Sequence, residues 1–97
     1  MVVGTRLISA REAREVAKWM LAELRKRGSL YQPDAAEKIE RRFGRQFVDE
    51  NADGGTGIDR RVLEAFRAET GKSVVWDRFD LSWRWREKGD EPGRRAY

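Results

Sequence analysis

An α+β domain is what this sequence predicts, and three observations predict it. Residues 9–28 repeat apolar side chains at helical spacing between a capping signal and a glycine. Two further segments, near 33–43 and 59–71, carry shorter helical patterns on either side of a glycine-rich loop. After Gly71 the pattern switches to period two, the spacing of a half-buried β-hairpin. The expected order is helix, helix, short strand, helix and a two-stranded C-terminal hairpin.

The first helix follows from its ends and its stripe. Ser9 and Glu12 have capping-box spacing, and Gly28 is a natural stop. Between them Ala13, Val16, Ala17, Met20, Leu21 and Leu24 form one apolar stripe. Trp19 falls about 130° off it at 3.6 residues per turn, so it must cover something other than the main core.

Pro33 suits the first turn of a second helix, which ends before Gly44 and turns Ala35, Ala36, Ile39 and Phe43 inward. Glu37 and Arg41 stand four apart on its outer face, placed to pair. Gln46, Phe47 and Val48 are too few for a helix and read as a short strand.

Asp59 is a good N-cap for the third helix, with Ile58 and Leu63 at staple spacing. Val62, Leu63 and Phe66 face inward, and Gly71 closes it. On the hairpin, Val74 and Trp76 alternate on one strand, and Leu81, Trp83 and Trp85 on the other. Residues 78–80 form its turn, and Ser82, Arg84 and Arg86 take its opposite face. One domain over 1–88 and a mobile tail over 89–97 are expected, the tail holding two glycines and a proline.

Composition excludes more than it assigns. A chain of 97 residues builds one modest core. Charged residues make up 39%, so most of the surface is an ionic mixture. Without cysteine there is no disulfide, thiolate zinc site or cysteine nucleophile. Without histidine the usual general base and metal ligand is missing. Ser9, Ser29, Ser73 and Ser82 lack a nucleophile-elbow context, and GGTG lacks a P-loop lysine. No enzyme, cofactor or small-molecule substrate is expected. No apolar run reaches the roughly 18 residues of a membrane span, and MVVGTRLISA has no leader pattern. A cytoplasmic location without membrane contact is the expectation.

The stretch DENADGGTGID, residues 49–59, starts like an EF-hand loop, with Asp49, Asn51, Asp53 and Gly54 in place. Position 12 of that loop, where a bidentate glutamate belongs, is Arg60, a cation. GGTGID also matches one β-roll calcium unit, but those sites form between stacked repeats and there is one copy. Asp, Asn and Gly are equally the residues of turns. Turn chemistry explains these letters; Asp49, Asn51 and Asp53 are the alternative metal set.

The net charge is +4. Residues 1–31 carry seven basic and three acidic side chains, a surplus that no later segment matches. Candidate phosphate contacts are Arg60, Arg61 and Arg67 on the third helix, with Arg60 and Arg61 pointing outward, and Arg78, Arg84 and Arg86 on the hairpin. Three of four tryptophans lie in the last quarter. Trp76 and one of the other two belong to a small core, while Trp19, Trp83 and Trp85 are the candidate aromatic platform for a partner.

This element order resembles a winged-helix domain, in which two helices support a third that can enter a major groove and the hairpin forms a wing. The resemblance covers roughly residues 9–86 and implies Arg60, Arg61 and Arg67 on the groove-facing helix, with Arg78, Arg84 and Arg86 on the wing. Glycine-rich residues 53–57 depart from it, standing where many winged helices have a tight turn. The pieces AKWML (17–21), LYQPDAAEKI (30–39), FGRQFVDENADG (43–54), VLEAFRAET (62–70) and VVWDR (74–78) followed by WR (83–84) make a second likeness. In these the chain is similar to a family of short, uncharacterised bacterial proteins, a likeness that implies no chemistry. The expected function is a non-enzymatic binding module, reading nucleic acid through the third helix and hairpin. The alternative is a protein-interaction or homodimerisation module using exposed aromatics.

Overall fold

The computed structural model describes residues 8–50 and 56–87. Helix α1 (Ala10–Arg27) begins at a complete capping box. Ser9 Oγ accepts from the Glu12 N–H at 3.0 Å, and the Glu12 carboxylate accepts from the Ser9 N–H at 2.9 Å, so two otherwise orphaned donors are satisfied. It ends at Gly28, whose φ of 86° lets its N–H reach the Leu24 carbonyl at 2.7 Å. Ala13, Val16, Ala17, Met20 and Leu24 are buried and Leu21 is half-buried, close to the expected stripe.

The reversal at Gly28 feeds a strand that helix and hairpin patterns did not announce, β1 (Ser29–Tyr31). Helix α2 (Gln32–Arg42) follows at once, with Pro33 in its first turn and Ala35, Ala36 and Ile39 buried. Glu37 and Arg41 pair across one turn at 3.5 Å. Past Gly44, residues Arg45–Phe47 wind into a single 3-10 turn. The expected strand over 46–48 therefore begins later, as β2 (Val48–Glu50).

Strand β3 (Thr56–Ile58) pairs antiparallel with β2, setting Val48 opposite Ile58 and Glu50 opposite Thr56. Part of the expected glycine-rich loop is thus a ladder. Asp59 then caps α3 (Arg60–Thr70), whose Val62, Phe66 and Thr70 are buried. Helix α3 packs chiefly on α1.

Strands β4 (Val74–Asp77) and β5 (Ser82–Trp85) form the expected hairpin, and β1 adds to the outer edge of β5. The order β1-β5-β4 puts Leu30 and Trp76 on either side of Trp83. Alternation gathers Leu30, Val74, Trp76, Trp83 and Trp85 on one face. Phe66 of α3 meets that face, its ring 5.4 Å from Trp83. One expectation changes here. Leu81 belongs to the turn, with φ of 54° and 43% exposure, and does not share the inward face. Val75 is buried on the opposite face, in register with Arg84.

Among the described residues the architecture is α+β: three α-helices and two small antiparallel sheets, with a C-terminal strand pair. The tail expected over 89–97 lies outside the described residues.

Phe66 and Trp83 join the helices to the sheet with full burial. Phe66→Ala should cost about 3–5 kcal/mol, since the cavity adds to the lost transfer energy. Urea unfolding followed by tryptophan fluorescence measures it, and a loss under about 1 kcal/mol would show that Phe66 is not part of the hinge between layers.

Candidate functional site

The six arginines expected to meet phosphate divide into unlike groups. Arg61 does not point freely outward. Its Nε and Nη2 donate to the two Asp59 oxygens at 3.0 and 2.9 Å, while its backbone N–H donates to Asp59 Oδ1 at 2.7 Å. Asp59 is only 4% exposed, so the cap of α3 and the anchor for Arg61 are one buried carboxylate. The hydrogen bond from Arg61 holds that carboxyl below its ordinary value, against burial, which pushes it up.

Arg60 is exposed, with Glu64 at 3.4 Å one turn on. Arg67 is exposed and lies within about 60° of Arg60 and Glu64 on the helix circumference. The outer face of α3 therefore alternates in sign.

Arg84 and Arg86 lie elsewhere. Helix α3 sits on the tryptophan face of the sheet, and alternation places Arg84 on the other, so the sheet stands between them. Arg84 approaches Asp77 at 4.0 Å and donates to the Trp85 carbonyl at 3.2 Å. Arg86 Nε donates to the Lys72 carbonyl at 2.7 Å. Arg78 is exposed in the hairpin turn. The structure does not bring the six together.

The three tryptophans expected as a platform are mostly turned inward. Trp83 is 1% exposed and cannot receive a partner. Trp85 is half-buried against the core. Trp19 leans edge-on against Phe43 at 5.9 Å, and Phe43 against Phe47 at 6.2 Å. This aromatic chain is what Trp19 covers away from the main stripe.

The exposed apolar surface is at the hairpin tip. Among the described residues the exposed large hydrophobic side chains are Phe79 at 90%, Tyr31 at 47% and Leu81 at 43%. Register places all three at one end of the sheet, since Tyr31 is opposite Ser82 and the Leu81 carbonyl accepts from the Gln32 N–H at 2.8 Å. The turn is tied by Asp77, whose Oδ1 accepts from the Phe79 and Asp80 N–H groups at 3.0 and 3.2 Å. Leu81 in the left-handed region is a local strain of about 1–2 kcal/mol. Sequence reading missed this tip because it gave Leu81 an inward role. The available signal was Phe79 in the run Asp77-Arg78-Phe79-Asp80, a turn with no core position for an aromatic.

The basic surplus sits on α1. Arg11, Arg14, Lys18 and Arg25 are exposed, and among the described residues none has an acidic partner within 4.0 Å. Beside Arg14 and Lys18 a groove of about 610 Å³ runs between α1 and α3, with Ala13, Ala65, Glu64 and Glu69 in its lining. Its mixed signs favour no single small ligand.

Of the alternative calcium set, Asp49 is exposed in β2, and Asn51 and Asp53 lie outside the described residues. The segment entering that stretch is the 3-10 turn and β2, where an EF-hand has its incoming helix. Among the described residues no three acidic side chains come together as a metal site.

The model of a family of unknown function (DUF6953) matches residues 12–85 of the chain. No curated protein and no solved structure matches it.

Two stability measurements check this geometry. Asp59→Ala should lose about 1–2 kcal/mol at neutral pH, the usual cost of an N-cap. Because the folded carboxyl titrates below its ordinary 3.8, its contribution is complete above that pH and is lost as pH falls through the folded value. The gap between wild type and variant in urea titrations should therefore close in acid; a pH-independent gap would mean that the charge is not what Asp59 contributes. Leu81→Asn, at a position where asparagine is at ease, should be neutral or stabilising by up to about 1 kcal/mol. A clear loss would show that the Leu81 side chain holds the fold.

Proposed function

Since the chain belongs to that family of unknown function, which supplies no activity to transfer, we propose from its own residues that it is a small non-enzymatic binding module. Its working surface in this reading is the hairpin tip, and its partner there is a second copy of itself. The observation that carries the reading is the convergence of Phe79, Leu81 and Tyr31 on a turn already fixed by Asp77. A preordered aromatic anchor loses little entropy on docking, and hiding one such side chain contributes about 1.5–3 kcal/mol.

A two-fold contact uses the same patch twice and must complement itself. The tip meets that demand in sign, because Arg78 and Asp80 flank Phe79, so that Arg78 of one copy meets Asp80 of the other. Three side chains make a small interface, so weak and concentration-dependent association is expected. Nucleic-acid recognition by α3 and the hairpin draws less support from the same geometry, given the alternating signs on α3 and the sheet between Arg60 and Arg84. The reading keeps the cytoplasmic location expected from composition; no helix among the described residues is long and apolar enough to cross a membrane.

Sedimentation equilibrium from micromolar to millimolar protein tests the proposal. The mass should rise above the 11.3 kDa of the monomer, and Phe79→Ser should abolish the rise while circular dichroism stays unchanged. A wild type that remains monomeric throughout, or a Phe79→Ser variant that associates as well as wild type, overturns it.

A further inference from the structure

Helix α1 carries the chain's concentrated positive charge in an ordered form. At about 100° per residue, Arg11, Arg14, Lys18 and Arg25 fall within about 60° of one another on the helix circumference. The same arc holds no acidic residue. At about 1.5 Å per residue the four span about 21 Å. The pairing pattern sets them apart from the other cations of α1, Lys26 and Arg27. Glu23 holds Lys26 at 3.8 Å and Arg27 at 3.1 Å on the same helix, and Arg41, Arg45, Arg60 and Arg61 each have a carboxylate within 4.0 Å. The four on the stripe have none among the described residues. Glu15 stands at the stripe's edge, and Glu64 and Glu69 line the groove beyond Arg14 and Lys18; Glu64 is already engaged by Arg60.

We infer that this face of α1 binds the phosphate backbone of double-stranded nucleic acid, independently of the hairpin tip and without reading sequence. A row of charge along a rigid rod suits a regular row of phosphates, and each cation that meets one releases condensed counterions. The stripe offers no aromatic side chain for unstacked bases, since Trp19 is occupied with Phe43. It also offers no apolar face to enter a bilayer, which distinguishes it from an amphipathic membrane helix: the apolar face of α1 is buried in the core. Groove readout by α3 is not part of this inference. The contact is positional, made through phosphates and carrying no base code.

The test is fluorescence anisotropy of labelled random-sequence duplex DNA as salt is raised. Four phosphate contacts give a slope of log K against log salt of about −3.6. Arg14→Glu with Lys18→Glu should abolish binding at salt where wild type binds, with unchanged circular dichroism, because both side chains are exposed. Arg60→Glu with Arg67→Glu on α3 should leave affinity within about twofold, and Phe79→Ser should leave it unchanged. No binding at low salt, a slope shallower than about −1, or loss of binding in the α3 variant with retention in the α1 variant would each overturn the inference. So would binding to phosphatidylserine vesicles without binding to duplex, which would assign the stripe to a lipid surface.

Discussion

The fold depends on one ring. Trp83 sits at the middle of the central strand of the β1-β5-β4 sheet, 1% exposed, with Leu30 in register on one side and Trp76 on the other. Its ring lies 5.4 Å from Phe66 of α3 and 4.9 Å from Trp76. Three pieces distant in sequence therefore converge on it: the strand after α1, the third helix and the hairpin. Aromatic pairs at such distances add about 0.5–1.5 kcal/mol each beyond their area. In a domain of this size, whose whole stability is of order 5–15 kcal/mol, that concentration makes Trp83 a structural residue and removes it from the binding surface. Its neighbours inherit the constraint. β1 is short, yet it has a defined register because Leu30 must stand beside Trp83, and β5 must direct Arg84 to the far face for the same reason.

Charge is managed locally, and this governs what the surface can do. A chain with 39% charged residues can present either a mixed, self-neutralising skin or ordered patches of one sign. Most of this one is the first kind. Asp59 shows it best: the carboxylate that caps α3 also grips Arg61, so an arginine expected to point outward is spent on the helix start. The stripe on α1 is of the second kind. A net charge of +4 says little by itself, since the same surplus spread over paired side chains would present no field at short range in physiological salt.

How legible this was in the sequence varied with the physics involved. Helix ends were legible because caps act over three or four residues: Ser9 with Glu12, Gly28, Asp59 and Gly71 all behave as their chemistry requires. The hairpin was legible from period two. β1 and β3 were not, because strands of three residues carry too little periodicity and owe their state to partners far along the chain. The 3-10 turn at Arg45–Phe47 was read as a strand for the same reason, its apolar letters being equally suited to either. Leu81 was the instructive miss. Alternation assigned it inward, but a leucine at φ of 54° is a conformation that no propensity forecasts. Pairing was also invisible: the sequence showed Arg60, Arg61 and Arg67 alike, while only coordinates separate a clamped guanidinium from a free one.

That separation changes where binding is to be sought on this architecture. A third helix set beside a hairpin invites the reading that the helix is the reader. Here the helix has alternating signs along its outer face, and Arg61, the second arginine after the cap, is tied down by Asp59. Among the described residues, two surfaces without internal use are at opposite chemical extremes: an apolar tip on a fixed turn, and a cationic line on α1. Each is too exposed to owe its composition to the core. Leu81 is held in a strained conformation that a smaller polar residue would relieve, and four cations on α1 repel one another along the stripe where interspersed acids would relieve them. Both arrangements run against the stability of the isolated domain, which is the physical ground for looking for a partner at these positions rather than at α3.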